Sequence, residues 1–283
     1  MLRNYLTIAR RALWRHLGYS TINVVGLAVG LAVCLVIGLY IRHELQYDRF
    51  HEKADRIHRV VQATPAGDAF GPSSVRMLDG SVRTSPGLAQ ALEQRIAGIA
   101  QTTVVSTRGD RLLSRGNERL YVDRILRADT AFFDVFSGFE LLRGDPRFVL
   151  DAPGRIVLTA SLAGRLFDDA NPVGQSVLLE NEAEYTVTGV VADPPSTSHL
   201  QFEAVRSLTE RERQERYGNT IQWRFFGSHI YLAVHEDADA RAVEATIRDF
   251  EEQVAPKWKD EAELRLQPLT QVRLYSAGLG GDI

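Results

Sequence analysis

The longest unbroken apolar run in the chain is Ile22–Ile41, INVVGLAVGLAVCLVIGLYI, in which Asn23 is the only strongly polar side chain. At ~1.5 Å per residue this run spans about 30 Å, the thickness of a bilayer's hydrocarbon core. A core helix of that length breaks its apolar run with polar positions. A cleaved signal has a shorter apolar stretch followed by small residues, and Tyr40-Ile41-Arg42-His43-Glu44 offers no such site. The pattern therefore predicts a membrane-spanning helix over residues 22–41. Upstream, a helical period gathers Leu2, Tyr5, Leu6, Ala9, Leu13 and Leu17 on one face, and Arg3, Asn4, Thr7, Arg10, Arg11 and Arg15 on the other. This predicts an amphipathic helix over 1–21, lying on the membrane surface or packed on a cytoplasmic partner through the same face. Arg3, Arg10, Arg11 and Arg15 are the candidate membrane-interface residues. Gly26 and Gly30 have the small-xxx-small spacing of closely packed membrane helices and are the candidate helix-packing positions.

Past residue 42 the apolar runs shorten and change period. Arg56–Thr64 reads as a strand, followed by a Pro/Gly-rich stretch to Pro72. Ser85-Pro86 then has the form of a helix start, with Leu88, Leu92 and Ile96 facing inward, before a strand at Thr102–Thr107. The same order recurs near the end. Ser228–His235 alternates as a strand, Asp239 caps a helix carrying Val243, Ile247, Phe250 and Val254 on one face, and Glu263–Leu269 is a further strand. Between them Arg119–Arg127 reads as one strand, and Ile156–Leu158 leads into a short helix, Ser161–Phe167. Gln175–Glu180 and Tyr185–Val191 flank a hairpin turn, and Asp193-Pro194-Pro195 ends its second strand. These patterns predict an α+β protein. One N-terminal transmembrane helix precedes a domain over 42–283, built of split β-α-β halves (42–109 and 206–275) around a mostly β insertion, 110–205.

Charge sharpens this picture. Residues 1–21 carry four arginines and no acid, which leaves −7 for the remainder of a chain whose net charge is −3. After the apolar run Arg42 is soon balanced by Glu44 and Asp48, so the excess of positive charge puts the N-terminus in the cytoplasm and the domain on the far side. A basic end beside an apolar block points to a lipid bilayer and away from nucleic acid. The single cysteine, Cys34, lies within the block, so the domain folds without disulfides.

No catalytic constellation rises above background. His43, His51 and His58 lack the four-residue spacing of helical metal ligands and read as structural or surface residues. Ser198-His199 are adjacent, and a nucleophile–base pair needs spatial geometry that adjacency does not supply. Acidic pairs such as Asp168-Asp169 and Glu251-Glu252 read as solvated. Gly278-Leu279-Gly280-Gly281 lacks the Lys-Ser/Thr of a phosphate loop and reads as a flexible end. The expectation is no metal, no cofactor and no enzyme activity, with any ATP dependence supplied by another subunit.

Five stretches in order carry a family resemblance. They are Tyr47-Asp48-Arg49-Phe50-His51 with Ala54-Asp55-Arg56-Ile57-His58-Arg59-Val60, and Ala128-Asp129-Thr130-Ala131-Phe132-Phe133 with Gly144-Asp145-Pro146. Next come Ile156-Val157-Leu158-Thr159 through Leu166-Phe167 with Asn171-Pro172-Val173-Gly174, and Thr186-Val187-Thr188-Gly189-Val190 with Asp193-Pro194-Pro195 and Ser198-His199. Leu266-Gln267-Pro268-Leu269 with Leu274-Tyr275-Ser276 closes the series. Together they resemble the N-terminal part of MacB/FtsX-like ABC transporter permeases. One departure is Ala97-Gly98-Ile99, where relatives often have a Pro-Glu-Val-like step.

The resemblance implies a periplasmic core domain of porter-like halves with an inserted β part, held at a bacterial inner membrane. It implies a cytoplasmic ABC ATPase subunit, a second permease copy or homologue and a periplasmic adaptor as partners. The implied activity couples ATP hydrolysis by the partner to export or extraction of a hydrophobic compound, a peptide or a lipoprotein. It also implies three or more further membrane helices, which would begin where the sequence stops at Ile283, so the expectation is a permease subunit or its N-terminal fragment. The competing expectation is a single-pass anchored domain that binds a periplasmic partner without transport. A membrane-anchored hydrolase would need a cleft with converging polar groups.

Overall fold

The computed structural model describes residues 17–63, 85–109, 111–168, 170–218, 228–254 and 263–275, together with Tyr5, Arg11 and Arg15. The chain divides into two compact units, Met1–Gln46 and Tyr47–Ile283. In the first, α1 runs unbroken from Leu17 to Glu44 and buries no residue. It contains the apolar run and is long and apolar enough to cross a membrane. Arg11 and Arg15 are helical and exposed, whereas Arg3, Arg10 and most of the expected surface helix lie outside the described residues. Around Gly26 and Gly30 a Cβ would meet nothing within 4 Å, so both present bare backbone on the helix surface.

The second unit begins with β1 (Ile57–Ala63), α2 (Pro86–Arg95), β2 (Ile99–Arg108), β3 (Arg111–Arg115), β4 (Glu118–Val122) and β5 (Ile125–Ala128). It continues through α3 (Phe132–Val135), β6 (Leu141–Arg143), β7 (Arg155–Thr159), α4 (Ala160–Phe167), β8 (Ser176–Leu179), β9 (Ala183–Val191) and β10 (Ala204–Ser207). α5 (Glu210–Tyr217), β11 (His229–Val234), α6 (Ala240–Val254), β12 (Glu263–Pro268) and α7 (Leu269–Tyr275) complete it. The strands join in one sheet in the order β12-β1-β11-β2-β5-β10-β7-β9-β8-β3-β4, with β6 on β9. Most pairs are antiparallel, while β5–β10 and β7–β9 are parallel.

Amphipathic periodicity decides which helix covers which part of the sheet. α2 and α6 turn Leu88, Leu92, Val243, Ile247 and Phe250 onto Val60, Val104, Leu232 and Leu266. Phe132, Phe136 and Phe139 of the α3 region pack with Ile57, Val105, Leu126 and Tyr231 in a second core. α4, held at its start by Thr159, whose Oγ1 accepts the Leu162 amide at 3.3 Å, packs Leu162, Leu166 and Phe167 on β7 and β9.

In the second unit the strands and helices read from the sequence form, β3, β6, β10 and α3 form besides them, and four further features differ. The stretch Arg119–Arg127 is two strands, because β4 pairs with β3 while β5 pairs with β2 and β10. Glu203 pins the break: its carboxylate accepts the Asp123 amide at 2.8 Å and its own amide donates to the Arg124 carbonyl at 3.0 Å. The last strand ends at Pro268, and Leu269 opens a helix. α5 lies in a stretch with no apolar stripe to announce it. It starts in a capping box: Thr209 Oγ1 accepts the Glu212 amide, and Glu212 accepts the Thr209 amide. Finally, Glu251 is buried at 5% exposure, where the sequence reading made it solvated.

Glu251 is buried because it closes the sheet edge. β12 pairs with β1 alone among the described strands, which leaves the amides of Leu264 and Leu266 pointing outward. Glu251 accepts the first at 2.8 Å and Glu244, seven residues earlier on the same face of α6, accepts the second at 3.1 Å. The next outward position is Pro268, which has no amide hydrogen to satisfy. An open row of donors that invites strand addition is thereby blunted.

Candidate functional site

The segment that leaves α1 re-enters structure at Asp48. Its φ of +59° is a left-handed conformation that Asp and Asn tolerate better than most residues. The Asp48 amide donates to the Thr197 carbonyl at 2.8 Å, and Oδ1 accepts the His199 amide at 3.0 Å. His199 Nδ1 stands 2.8 Å from the same oxygen. This short contact misses hydrogen-bond alignment, so the backbone amide supplies the directed bond and the imidazole contributes proximity to the charge. On the other side of the ring, Nε2 is 2.8 Å from Tyr231 Oη of β11. A proton on Nδ1, beside the carboxylate, leaves Nε2 to accept from the phenol. Asp48 and Tyr231 are both fully buried.

The loop that presents His199 is rigid for local reasons. Pro194 and Pro195 restrict it, Ser198 Oγ is used by the Leu200 backbone at 3.1 and 3.2 Å, and Gln201 Nε2 donates to the Pro195 and Ser198 carbonyls. Ser198 is thus a turn residue, and the adjacent histidine faces elsewhere.

Three residues on, His51 makes a second anchor. Its Nδ1 accepts the Gly138 amide at 3.0 Å, and its ring lies among Phe50, Phe136 and Phe139 at centroid distances of 4.1, 5.3 and 5.0 Å. Burial in this aromatic nest lowers the imidazole pKa to about 4, with His199 adding to the shift and Asp48 opposing it. Gly138 is required by the close approach: a Cβ there would sit 2.7 Å from both His51 Nδ1 and Phe50 Cδ2. Arg273 of α7 stacks over Tyr47 at 4.9 Å, and Lys53 Nζ donates to the Asp134 carbonyl at 3.4 Å. Residues 47–53 are therefore tied to the 193–199 loop, the 132–139 aromatic segment, β11 and α7.

The anchor continues into a buried polar row across the sheet. Tyr231 is the strand neighbour of Arg59 on one side and of Thr103 on the other. Arg59, with no exposed surface, donates to Gln267 Oε1 at 3.1 and 2.8 Å. Thr103 Oγ1 donates to Asp129 Oδ1 at 2.6 Å, and Arg216 Nε of α5 donates to Asp129 Oδ2 at 2.8 Å.

Of the residues singled out in the sequence, His51 and His58 are buried, at 2% and 5% exposure, while His43 is exposed. Asp168 is exposed, and the Gly278–Gly281 tail lies outside the described residues. Asp48, His199 and Tyr231 were within quoted motifs or strands, but nothing local announced that they meet. Among the described residues no group of three or more His, Cys, Asp or Glu is placed to hold a metal ion.

The arrangement is a helix long and apolar enough to cross a membrane followed by a β-rich domain, the form of a membrane-anchored module. The chain belongs to the family with a MacB-like periplasmic core domain, whose model matches residues 20–250. A domain assigned to a permease from Porphyromonas gingivalis superposes with a TM-score of 0.61 at 18% identity, covering 77% of this chain and 92% of that one. The periplasmic region of MacB from Actinobacillus actinomycetemcomitans superposes with a TM-score of 0.53 at 16% identity, covering 80% and 94%. A search of curated proteins gave no match. The fold class, the family and the permease kinship read from the sequence hold.

Proposed function

We propose that the chain is a permease subunit, or the N-terminal part of one, in an ABC system. In this reading it converts ATP-driven displacement of its membrane helix into movement of the periplasmic domain, acting on a hydrophobic compound, peptide or lipoprotein outside the inner membrane. ATP hydrolysis belongs to a cytoplasmic partner, and a second permease copy or homologue completes the membrane unit through Gly26 and Gly30. Arg3, Arg10, Arg11 and Arg15 hold the N-terminal segment to the cytoplasmic face. A periplasmic adaptor is the remaining partner. The kinship with MacB-type domains supports this reading.

The observation that carries the coupling role is the position of the clamp. Asp48 follows the last residue of α1 by only four positions and is bonded to a loop 151 residues away. In this reading the clamp fixes the first residues of the domain, so that displacement of the helix is passed to an ordered start of the domain rather than to a loose end. The test is to isolate the chain from its native membrane in mild detergent and assay for a co-purifying ATPase, then to repeat substrate export with Asp48→Ala. The expected outcome is ATP hydrolysis that persists while export fails. Absence of any associated ATPase, or unimpaired export by a folded Asp48→Ala protein, would overturn the proposal and favour the anchored binding domain.

A further inference from the structure

Beside the closed sheet edge lies a groove of about 650 Å³, walled by α6, β1, β12 and the start of α7. That volume is in the range of small-ligand sites. Its acids are already committed. Glu244 accepts the Leu266 amide and an Arg265 N–H at 3.1 and 3.2 Å, and Asp239 accepts the Arg241 amide at 3.0 Å. Of its cations, Arg248 donates to Glu263 at 3.3 Å, whereas the Arg241 guanidinium has no partner among the described residues.

Two acceptors are also unused. His58 lines the groove at 5% exposure, and its Nδ1 meets the Arg56 carbonyl at 3.2 Å, which places the proton on that nitrogen. Nε2 is then a lone-pair acceptor without a partner among the described residues. Burial lowers the imidazole pKa, against the Arg56 carbonyl and Glu244, and so keeps that nitrogen unprotonated. Gln271 Oε1 is buried with no hydrogen-bond partner. Leu266 and Pro268 supply apolar wall.

An unpaired guanidinium, the unpaired His58 Nε2 and an apolar wall in one groove call for a ligand with an anion, a nearby N–H donor and a small apolar group. We propose that this groove binds the C-terminal residue of a peptide, its carboxylate on Arg241, its amide N–H on His58 Nε2, and its side chain against Leu266 and Pro268. None of these residues belongs to the Asp48 clamp, and the site does not depend on the coupling role.

The test uses the full chain in detergent with N-acetyl-leucine as the ligand, read by calorimetry and by the NMR signals of labelled histidine assigned with His58→Asn. Saturable binding that moves the His58 signal is expected. Arg241 is an exposed surface position, so Arg241→Ala should fold normally and weaken binding by about tenfold or more, the loss of one charge-assisted contact. N-acetyl-leucinamide, which lacks the charge, should lose a similar factor. Equal binding of acid and amide, unchanged binding by Arg241→Ala, or a His58 signal that never moves would each sink the assignment.

Discussion

Asp48 Oδ1 accepts the backbone amide of His199 at 3.0 Å, closing a loop of 151 residues with a fully buried carboxylate. The residue does two things that few side chains do together: it tolerates a left-handed backbone and presents an acceptor. Asp48→Asn keeps both, whereas Asp48→Ala keeps neither. The alanine variant should lose about 2–4 kcal/mol in urea unfolding, and the asparagine variant about 1 kcal/mol or less. Hydrogen exchange at the His199 amide should rise sharply in the first and little in the second.

Gly138 should be intolerant of even one added carbon. The Cβ of Gly138→Ala would meet His51 Nδ1, Phe50 Cδ2 and the Phe50 carbonyl at 2.7–2.8 Å, and the last is backbone that cannot turn aside. A destabilisation of about 2–3 kcal/mol is expected, with increased exchange across residues 48–53 as the local signature.

His51 makes stability depend on acid. Its folded pKa of about 4 lies below the ordinary 6.5, so protonation is disfavoured in the native state. The contribution is complete above pH 6.5 and is lost as pH falls toward 4, to a limit of about 3 kcal/mol. Replacing it with asparagine, whose Oδ1 can stand in for Nδ1 toward Gly138, should flatten the decline between these values in urea titrations.

Glu251 has the opposite sign. Burial, with Glu263 and Glu252 nearby, raises its carboxyl to about 7 against the Leu264 hydrogen bond, which favours the ionised form. Stability is therefore highest below the ordinary value of 4.5 and falls as pH rises through 7. Glu251→Gln retains an acceptor for the Leu264 amide and cannot ionise. It should match the parent at pH 4.5 and exceed it by up to about 3 kcal/mol at pH 9.

The Asp129–Arg216 pair should show strong non-additivity. Arg216 is 2% exposed and also donates to Thr102 Oγ1 at 2.9 Å, so Asp129→Ala leaves a buried guanidinium with only the more distant Glu93 carboxylate, at 3.7 Å, as counter-charge. Either single substitution should cost about 3–5 kcal/mol, while the double Asp129→Leu/Arg216→Met should cost less than the sum of the singles.

The elements most legible in sequence were those whose signal is local. Pro86 marked the start of α2, Val243, Ile247 and Phe250 marked the buried face of α6, and Pro194-Pro195 marked the end of β9. The β8–β9 hairpin also formed, with Glu180 and Asn181 left-handed at its turn. α5 carried a readable signal, the Thr209-x-x-Glu212 box, but its ERERQERY sequence has no apolar stripe to prompt the search. Glu251 looked solvated because an acidic pair on a helix usually is; only the position of β12's outward amides explains its burial. The clamp was legible as residues and illegible as a site. Asp48, His199 and Tyr231 lie on three segments that only the sheet order brings together.

That order also settles how the domain bears load. β1 begins six residues after His51 and lies between two antiparallel partners, β12 and β11. Tension applied along the axis of β1 loads both ladders in shear, with their hydrogen bonds sharing the force. A strand attached on one side and pulled across its length would instead unzip one bond at a time. β1 is thus the strand suited to bearing tension along its length, and the strand that would peel most easily, β12, is stapled along its free edge by Glu244 and Glu251.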